Sequence, residues 1–155
     1  MPIVKEYYGD GALKAKGLEI AGLKEGKWTF YYENGRVFRE IHFQNGIENG
    51  EWKMWYENDE LYISQLKKSG KTDGEWKEYY ENGNIKEIGE YQNNEYFPID
   101  FWDEFGNQLL RNGTGKKIEK FGPLESYVYE QYFENGKFVK EVKISGLDYR
   151  GFFPK

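Results

Sequence analysis

One decapeptide is rewritten along the chain at a constant interval. Gly74-Glu75-Trp76-Lys77-Glu78-Tyr79-Tyr80-Glu81-Asn82-Gly83 has a counterpart in Gly50-Glu51-Trp52-Lys53-Met54-Trp55-Tyr56-Glu57-Asn58-Asp59. Another is Gly26-Lys27-Trp28-Thr29-Phe30-Tyr31-Tyr32-Glu33-Asn34-Gly35, and an eroded copy, Tyr7-Tyr8-Gly9-Asp10-Gly11, comes first. Position 7 leads to 31, 31 to 55 and 55 to 79, each a step of 24 residues. A fixed period of this size means stacked supersecondary units, each burying its apolar face only against its neighbours.

The turns identify the unit. Asn34-Gly35 and Asn82-Gly83 are hairpin signals, because a two-residue turn of this kind needs positive φ at both positions. A two-residue turn at Asn34-Gly35 predicts Glu33 opposite Arg36, Tyr32 opposite Val37, Phe30 opposite Arg39 and Trp28 opposite Ile41. The last copy, turning at Asn135-Gly136, predicts Glu134 opposite Lys137 and Tyr132 opposite Val139. The third copy sets Glu78 against Glu87, a like-charge pair that calls for a bulge or a shift of register. Second turns at Gln44-Asn45-Gly46, Ser69-Gly70 and Gln92-Asn93-Asn94 lead from one hairpin to the next. The predicted fold is all-β: antiparallel β-hairpin repeats stacked into an elongated or curled meander sheet.

As a single repeat domain, 1–155 divides into a degenerate repeat 1–25, regular repeats 26–49, 50–73 and 74–95, and irregular repeats 96–155. Strands are predicted over Val4–Tyr8 and Leu13–Ile20 in the first copy. Trp102-Asp103-Glu104-Phe105-Gly106 stands where the next turn belongs. Phe97-Pro98 suits an edge or a break between sheet segments, since proline cannot donate to a ladder. From Trp102 to Tyr132 the step grows to 30 residues, which predicts an excursion around Arg111–Glu125. The tail Leu147–Lys155 is expected to fold back over the last edge.

Five Trp, fourteen Tyr and eleven Phe supply a core of rings, each able to bury roughly 150–250 Å². Strand alternation sorts these rings onto two faces. Trp28, Phe30 and Tyr32 share one, with Trp52, Met54, Tyr56, Trp76 and Tyr80, and this ladder is the expected core. The other face carries Tyr7, Tyr31, Trp55 and Tyr79 in register, with Phe38 and Tyr62 expected beside Tyr31 and Trp55. Tyr and Trp are the residues that anchor protein interfaces, so this stripe is a candidate binding surface.

Composition excludes several chemistries. With no cysteine there is no disulfide, thiolate metal site or cysteine nucleophile. The 27 acids outnumber 22 bases, which argues against nucleic acid and anionic membrane as partners. The first residues form no apolar run like a secretory leader, and no later stretch is long and apolar enough to span a bilayer, so a soluble cytoplasmic protein is expected. His42 is the only histidine; among Ile41, Phe43 and Gln44 it reads as a strand residue rather than a ligand or base. Nothing calls for a cofactor or a metal. Asp100, Asp103 and Glu104 beside Phe101 and Trp102 could serve a sugar ring. From Glu87 to Leu110 there are acids (among them Glu90, Glu95, Asp100, Asp103 and Glu104) but no Lys or Arg, which reads either as a solvated face or as a dock for a basic partner.

The pattern Gly-x-Trp-x-x-Tyr-Tyr-x-Asn-Gly, followed by a Lys/Glu-rich return strand and a second Asn-Gly, resembles the MORN-repeat variant of bacterial YwqK-like antitoxin and immunity proteins. The match is close over 26–95, weaker over 1–25 and fragmentary from 102 to 146, and it departs at Asp59, where glycine is usual. The resemblance implies a non-catalytic protein-binding scaffold that neutralises a cognate protein toxin. On this sequence the partner-binding residues would be Tyr31, Trp55, Tyr79, Phe38, Tyr62, Glu95, Asp100, Asp103 and Glu104. The alternatives are a MORN-type scaffold or membrane-associated module, and a carbohydrate-binding protein.

Overall fold

A computed structural model describes residues 3–121 and 127–144. Thirteen strands form one antiparallel sheet in which spatial order equals chain order. They are β1 (Ile3–Tyr7), β2 (Leu13–Ile20), β3 (Leu23–Tyr31), β4 (Val37–Gln44), β5 (Ile47–Trp55), β6 (Leu61–Lys68) and β7 (Lys71–Tyr79). There follow β8 (Ile85–Gln92), β9 (Glu95–Trp102), β10 (Gln108–Arg111), β11 (Thr114–Phe121), β12 (Tyr127–Glu134) and β13 (Lys137–Ile144). Each 24-residue unit is thus one hairpin, and the meander grows by two strands per unit. The described part is all-β, as expected from the turns.

The two turns of each unit differ, and the assignment of the tight one is the first correction. At Asn34-Gly35 only Gly35 has positive φ (84°). The loop is Glu33-Asn34-Gly35: Gly35 N–H donates to Tyr32 O at 2.9 Å and Tyr32 N–H to Arg36 O at 2.8 Å. Asn34 Oδ1 accepts from Arg36 N at 3.0 Å, and this local bond is satisfied without putting Asn34 in the left-handed region. The result is a three-residue loop ending in a left-handed residue, the usual partner of a bulge. Trp28 still faces Ile41 and Phe30 faces Arg39, but Tyr31 replaces Tyr32 opposite Val37.

The same loop recurs from Tyr8, Tyr56, Tyr80 and Asp103, and Asp59 fills the left-handed position at φ 70°. Asp59→Gly should therefore stabilise the chain by about 0.5–1 kcal/mol, because glycine adopts that conformation without a Cβ penalty. Asp59 would give up only an exposed pairing with Arg36 at 3.6 Å, which is worth little. Urea midpoints of the two proteins check it. The true two-residue turns join the hairpins: Ala21-Gly22, Asn45-Gly46, Ser69-Gly70, Asn93-Asn94, Asn112-Gly113 and Asn135-Gly136 have positive φ at both positions.

Two cross-strand rows carry the interior. One runs Trp28, Ile41, Trp52, Gln65, Trp76, Gly89, Pro98. The second runs Ala15, Phe30, Arg39, Met54, Ile63, Glu78, Glu87, Phe101, Leu110. Trp28, Ile41, Phe101 and Leu110 are fully buried. Glycine makes room for rings at two places: a Cβ on Gly17 would stand 2.3 Å from the Trp28 ring, and one on Gly89 2.3 Å from Tyr96.

Glu78 faces Glu87, with the register irregularity beside it at Tyr79, as the sequence leads one to expect. The later chain departs from expectation in three ways. Tyr132 pairs with Lys140 rather than Val139, because the register shifts beside Phe133, although Glu134 does face Lys137. Pro98 sits inside β9 opposite Gly89, at a register irregularity, rather than on an edge. The expected excursion over Arg111–Glu125 is instead strand as far as Phe121, with β10, a tight turn and β11; its last residues and the tail Leu147–Lys155 lie outside the described residues.

Candidate protein-binding face

Each unit ends in a pair of aromatics with separate duties. The second ring reaches forward: Tyr8 Oη donates to Tyr31 O at 2.7 Å, Tyr32 to Trp55 O at 2.6 Å, Tyr56 to Tyr79 O at 2.8 Å and Tyr80 to Trp102 O at 2.8 Å. The first ring's backbone is therefore held by the preceding unit's hydroxyl. Burial pushes the Tyr56 and Tyr80 phenols far above their ordinary value, so these hydroxyls remain donors. Tyr56→Phe should lower the unfolding free energy by about 1 kcal/mol, the net value of one hydrogen bond, measured by urea denaturation.

This arrangement fixes the spacing of the stripe. Tyr31, Trp55 and Tyr79 recur every second strand, about 9.5 Å apart given ordinary strand spacing, on the side opposite Trp28 and Phe30 by alternation. All three are half-buried, and Tyr7 extends the stripe with 56% of its surface exposed. Lys16 Nζ lies 5.5 Å from the Tyr31 ring centroid. Around the stripe the same side mixes apolar partners, Val37, Leu61 and Ile85 opposite the rings, with charged residues. Lys27–Glu40 (2.6 Å), Lys53–Glu51 (3.0 Å) and Lys77–Glu75 (2.6 Å) are ion pairs of that face, with Lys53 opposite Ser64. His42 belongs to it too, its Nδ1 3.4 Å from Glu51 O.

Phe38 and Tyr62 are not part of that stripe. Phe38 stacks on Tyr32 at 4.9 Å and Tyr62 on Tyr56 at 4.6 Å, and Arg39 spans Phe30 and Phe38 at 4.6 and 5.4 Å. The bulge that skips Phe38 opposite the Phe30–Tyr31 step moves that ring to the interior side. The equivalent skip at Met54–Trp55 does the same for Tyr62.

The acids of the predicted dock are dispersed. Asp100 Oδ1 accepts from Gln108 Nε2 and Asn112 N, both at 3.0 Å. Asp103 caps its own turn, accepting from Phe105 N at 3.0 Å and Asn107 N at 2.8 Å. Glu104 is exposed, 3.8 Å from Lys120 Nζ, and Glu95 is exposed at the β8–β9 turn.

Glu87 leaves the surface altogether. It is 2% exposed and Lys117 6%, with 2.6 Å between their charged atoms. Tyr96 donates its hydroxyl to the same carboxylate, and Lys117 also stands 3.1 Å from Glu119. Opposite Glu87, Glu78 is paired by Lys86 at 2.8 Å. The adjacent acids are thus each answered by a separate lysine. Burial pushes the Glu87 carboxyl up and Lys117 with Tyr96 draws it back, leaving it above the usual carboxylate range. Sequence reasoning placed Glu87 in a surface run because its counter-charge, Lys117, lies in the segment expected to leave the sheet.

Among the described residues no three His, Asp or Glu side chains gather to hold a metal ion. No curated protein matches the chain. Three stretches, 24–45, 48–66 and 72–93, match the family described as MORN repeat variant, and they coincide with the three regular hairpins. MORN repeats serve as protein-binding or scaffold modules rather than as enzymes. Residues 24–93 are accordingly a run of MORN-variant repeats.

Proposed function

We propose that this protein is an antitoxin or immunity protein that binds a cognate bacterial toxin and neutralises it by occlusion. The observation that carries the reading is the stripe of Tyr7, Tyr31, Trp55 and Tyr79 on a face that also carries the Lys27–Glu40, Lys53–Glu51 and Lys77–Glu75 pairs. The charged side chains of these pairs are partly exposed, so solvent reaches the borders of the stripe. Large rings held at regular spacing with solvent at their borders have the chemistry of interface anchors. The net charge of -5, with Glu95 and Glu104 exposed at opposite ends of β9, favours a basic partner.

The test is co-expression with the product of the adjacent gene in cells that this product arrests. Growth should recover, and the two chains should co-elute. Trp55→Ala and Tyr79→Ala together should weaken the complex at least tenfold while leaving the fold intact, since buried aromatic anchors at interfaces are each worth roughly 2 kcal/mol or more. Continued arrest with no complex would overturn the reading.

A further inference from the structure

The sheet ends in a strand that is built differently from the others. β13 has no neighbour on its outer side among the described residues, and every residue from Lys137 to Lys143 is exposed. Three of these are large and apolar: Phe138 is 58% exposed, Val139 55% and Val142 41%. An open edge offers unpaired N–H and C=O groups to any extended chain that can lie beside it. β1, at the other end, has five residues and is exposed only at alternate positions.

Charge decides what could lie there. β13 carries Lys137, Lys140 and Lys143 against Glu141, a local excess of two positive charges on a chain whose net charge is -5. Two of the ammonium groups are held over rings of β12, Lys140 above Tyr132 and Lys143 above Tyr127, each at 4.7 Å. Both therefore lean inward over β12, and their charge reaches the outer edge across the width of β13. Lysines on an edge also guard against self-pairing. In the two symmetric antiparallel registers with greatest overlap, Lys140 would face Lys140 or Glu141 would face Glu141 of a second copy, and like charges opposite one another are unfavourable. A strand bearing carboxylates meets attraction at the positions where a second copy meets repulsion.

We propose that β13 is a strand-addition site for an extended acidic segment of a partner protein. Backbone pairing would supply the affinity. Because Val139 is the bulged residue, Lys137, Lys140 and Val142 share one face and Phe138 and Lys143 the other; acids would answer Lys137, Lys140 and Lys143, and apolar residues would meet Val142 and Phe138. The inference rests on the chain being a binding module, and it names a second surface, separate from the Tyr31–Tyr79 stripe, with its own partner chemistry.

The experiment titrates the full chain with a disulfide-closed hairpin peptide whose outer strand alternates glutamate with valine, and with its lysine-for-glutamate counterpart. Closure keeps the strand preorganised, which lowers the ordering penalty. The acidic hairpin should bind at least tenfold more tightly than the basic one, more weakly as salt rises, with amide shifts and exchange protection confined to 137–144. Lys140→Glu/Lys143→Glu should reverse the preference, its circular dichroism unchanged. Absent binding, equal binding of both peptides, or shifts that centre on β1 would each overturn the proposal. The peptide assay contains no toxin, so its failure leaves the neutralisation reading standing, and failure of the co-expression assay leaves the strand-addition result standing.

Discussion

Trp28→Ala should lower the unfolding free energy by about 3–5 kcal/mol, the range for deleting a large buried ring from a core that cannot collapse around the void. Trp28 is 0% exposed, and every side of it is engaged. Its ring presses on Gly17, where a Cβ would stand at 2.3 Å. Its Nε1 donates to Leu18 O at 2.8 Å. Lys24 Nζ covers it 3.9 Å from the ring centroid, and Ile41 faces it across the ladder. Such a loss is a large part of the roughly 5–15 kcal/mol that holds a domain folded. Trp76→Ala should cost distinctly less, because the same repeat position is only half-buried there, opposite a glycine whose space Tyr96 occupies. Urea denaturation followed by far-ultraviolet circular dichroism reads both. Equal losses would show that the tryptophan ladder is uniform along the sheet, against the gradient in burial.

Lys117→Met should be nearly as damaging near neutral pH, about 3–5 kcal/mol, because it leaves Glu87 buried with no close cation. Glu87→Gln combined with Lys117→Met should recover most of that loss: the carboxamide oxygen at position 87 can still accept from the Tyr96 hydroxyl, and the acid that still loses Lys117, Glu119, is more exposed than Glu87. The groups packed round Glu87 are Glu78 on β7, Lys86 beside it, Tyr96 on β9, and Lys117 and Glu119 on β11. Burial places the Glu87 carboxyl above its ordinary 4.5 in the folded chain. A group raised on folding gives a contribution that is complete below its unfolded pKa and is lost as pH rises through its folded one. The penalty of Lys117→Met should therefore shrink on acidification toward about pH 4, where Glu87 takes up a proton instead of standing as a bare charge. A penalty independent of pH between about 4 and 7 would mean that Glu87 is not the group left behind.

What the sequence discloses of this molecule is set by range. The 24-residue step, the alternation of Trp28 and Phe30 and the pairing of Trp28 with Ile41 depend on residues one hairpin apart, and all are readable from spacing. The kind of turn at Asn34-Gly35 is not, because Asn-Gly serves both a two-residue turn and the end of a three-residue loop. The choice is made by the carboxamide of Asn34 reaching Arg36 N. That single extra loop residue moved Phe38 and Tyr62 from the outer stripe to the interior, while Tyr31, Trp55 and Tyr79 kept their expected side. The Glu87–Lys117 pair was beyond reach for a different reason. It joins β8 to β11 across two intervening strands, and no local pattern announces which distant cation will answer a buried acid.

The hydroxyls of Tyr8, Tyr32, Tyr56 and Tyr80 run one way, from an earlier unit to the carbonyl of the next, which makes the array directional. Removing a unit from the front takes away a donor and leaves a carbonyl that strand pairing and water can still serve. Removing one from the rear leaves a half-buried phenol, such as Tyr80, with nothing to receive its proton, and an unmet buried donor is the dearer defect. A chain of this design is easier to shorten, or to extend, at its amino end than at its carboxyl end.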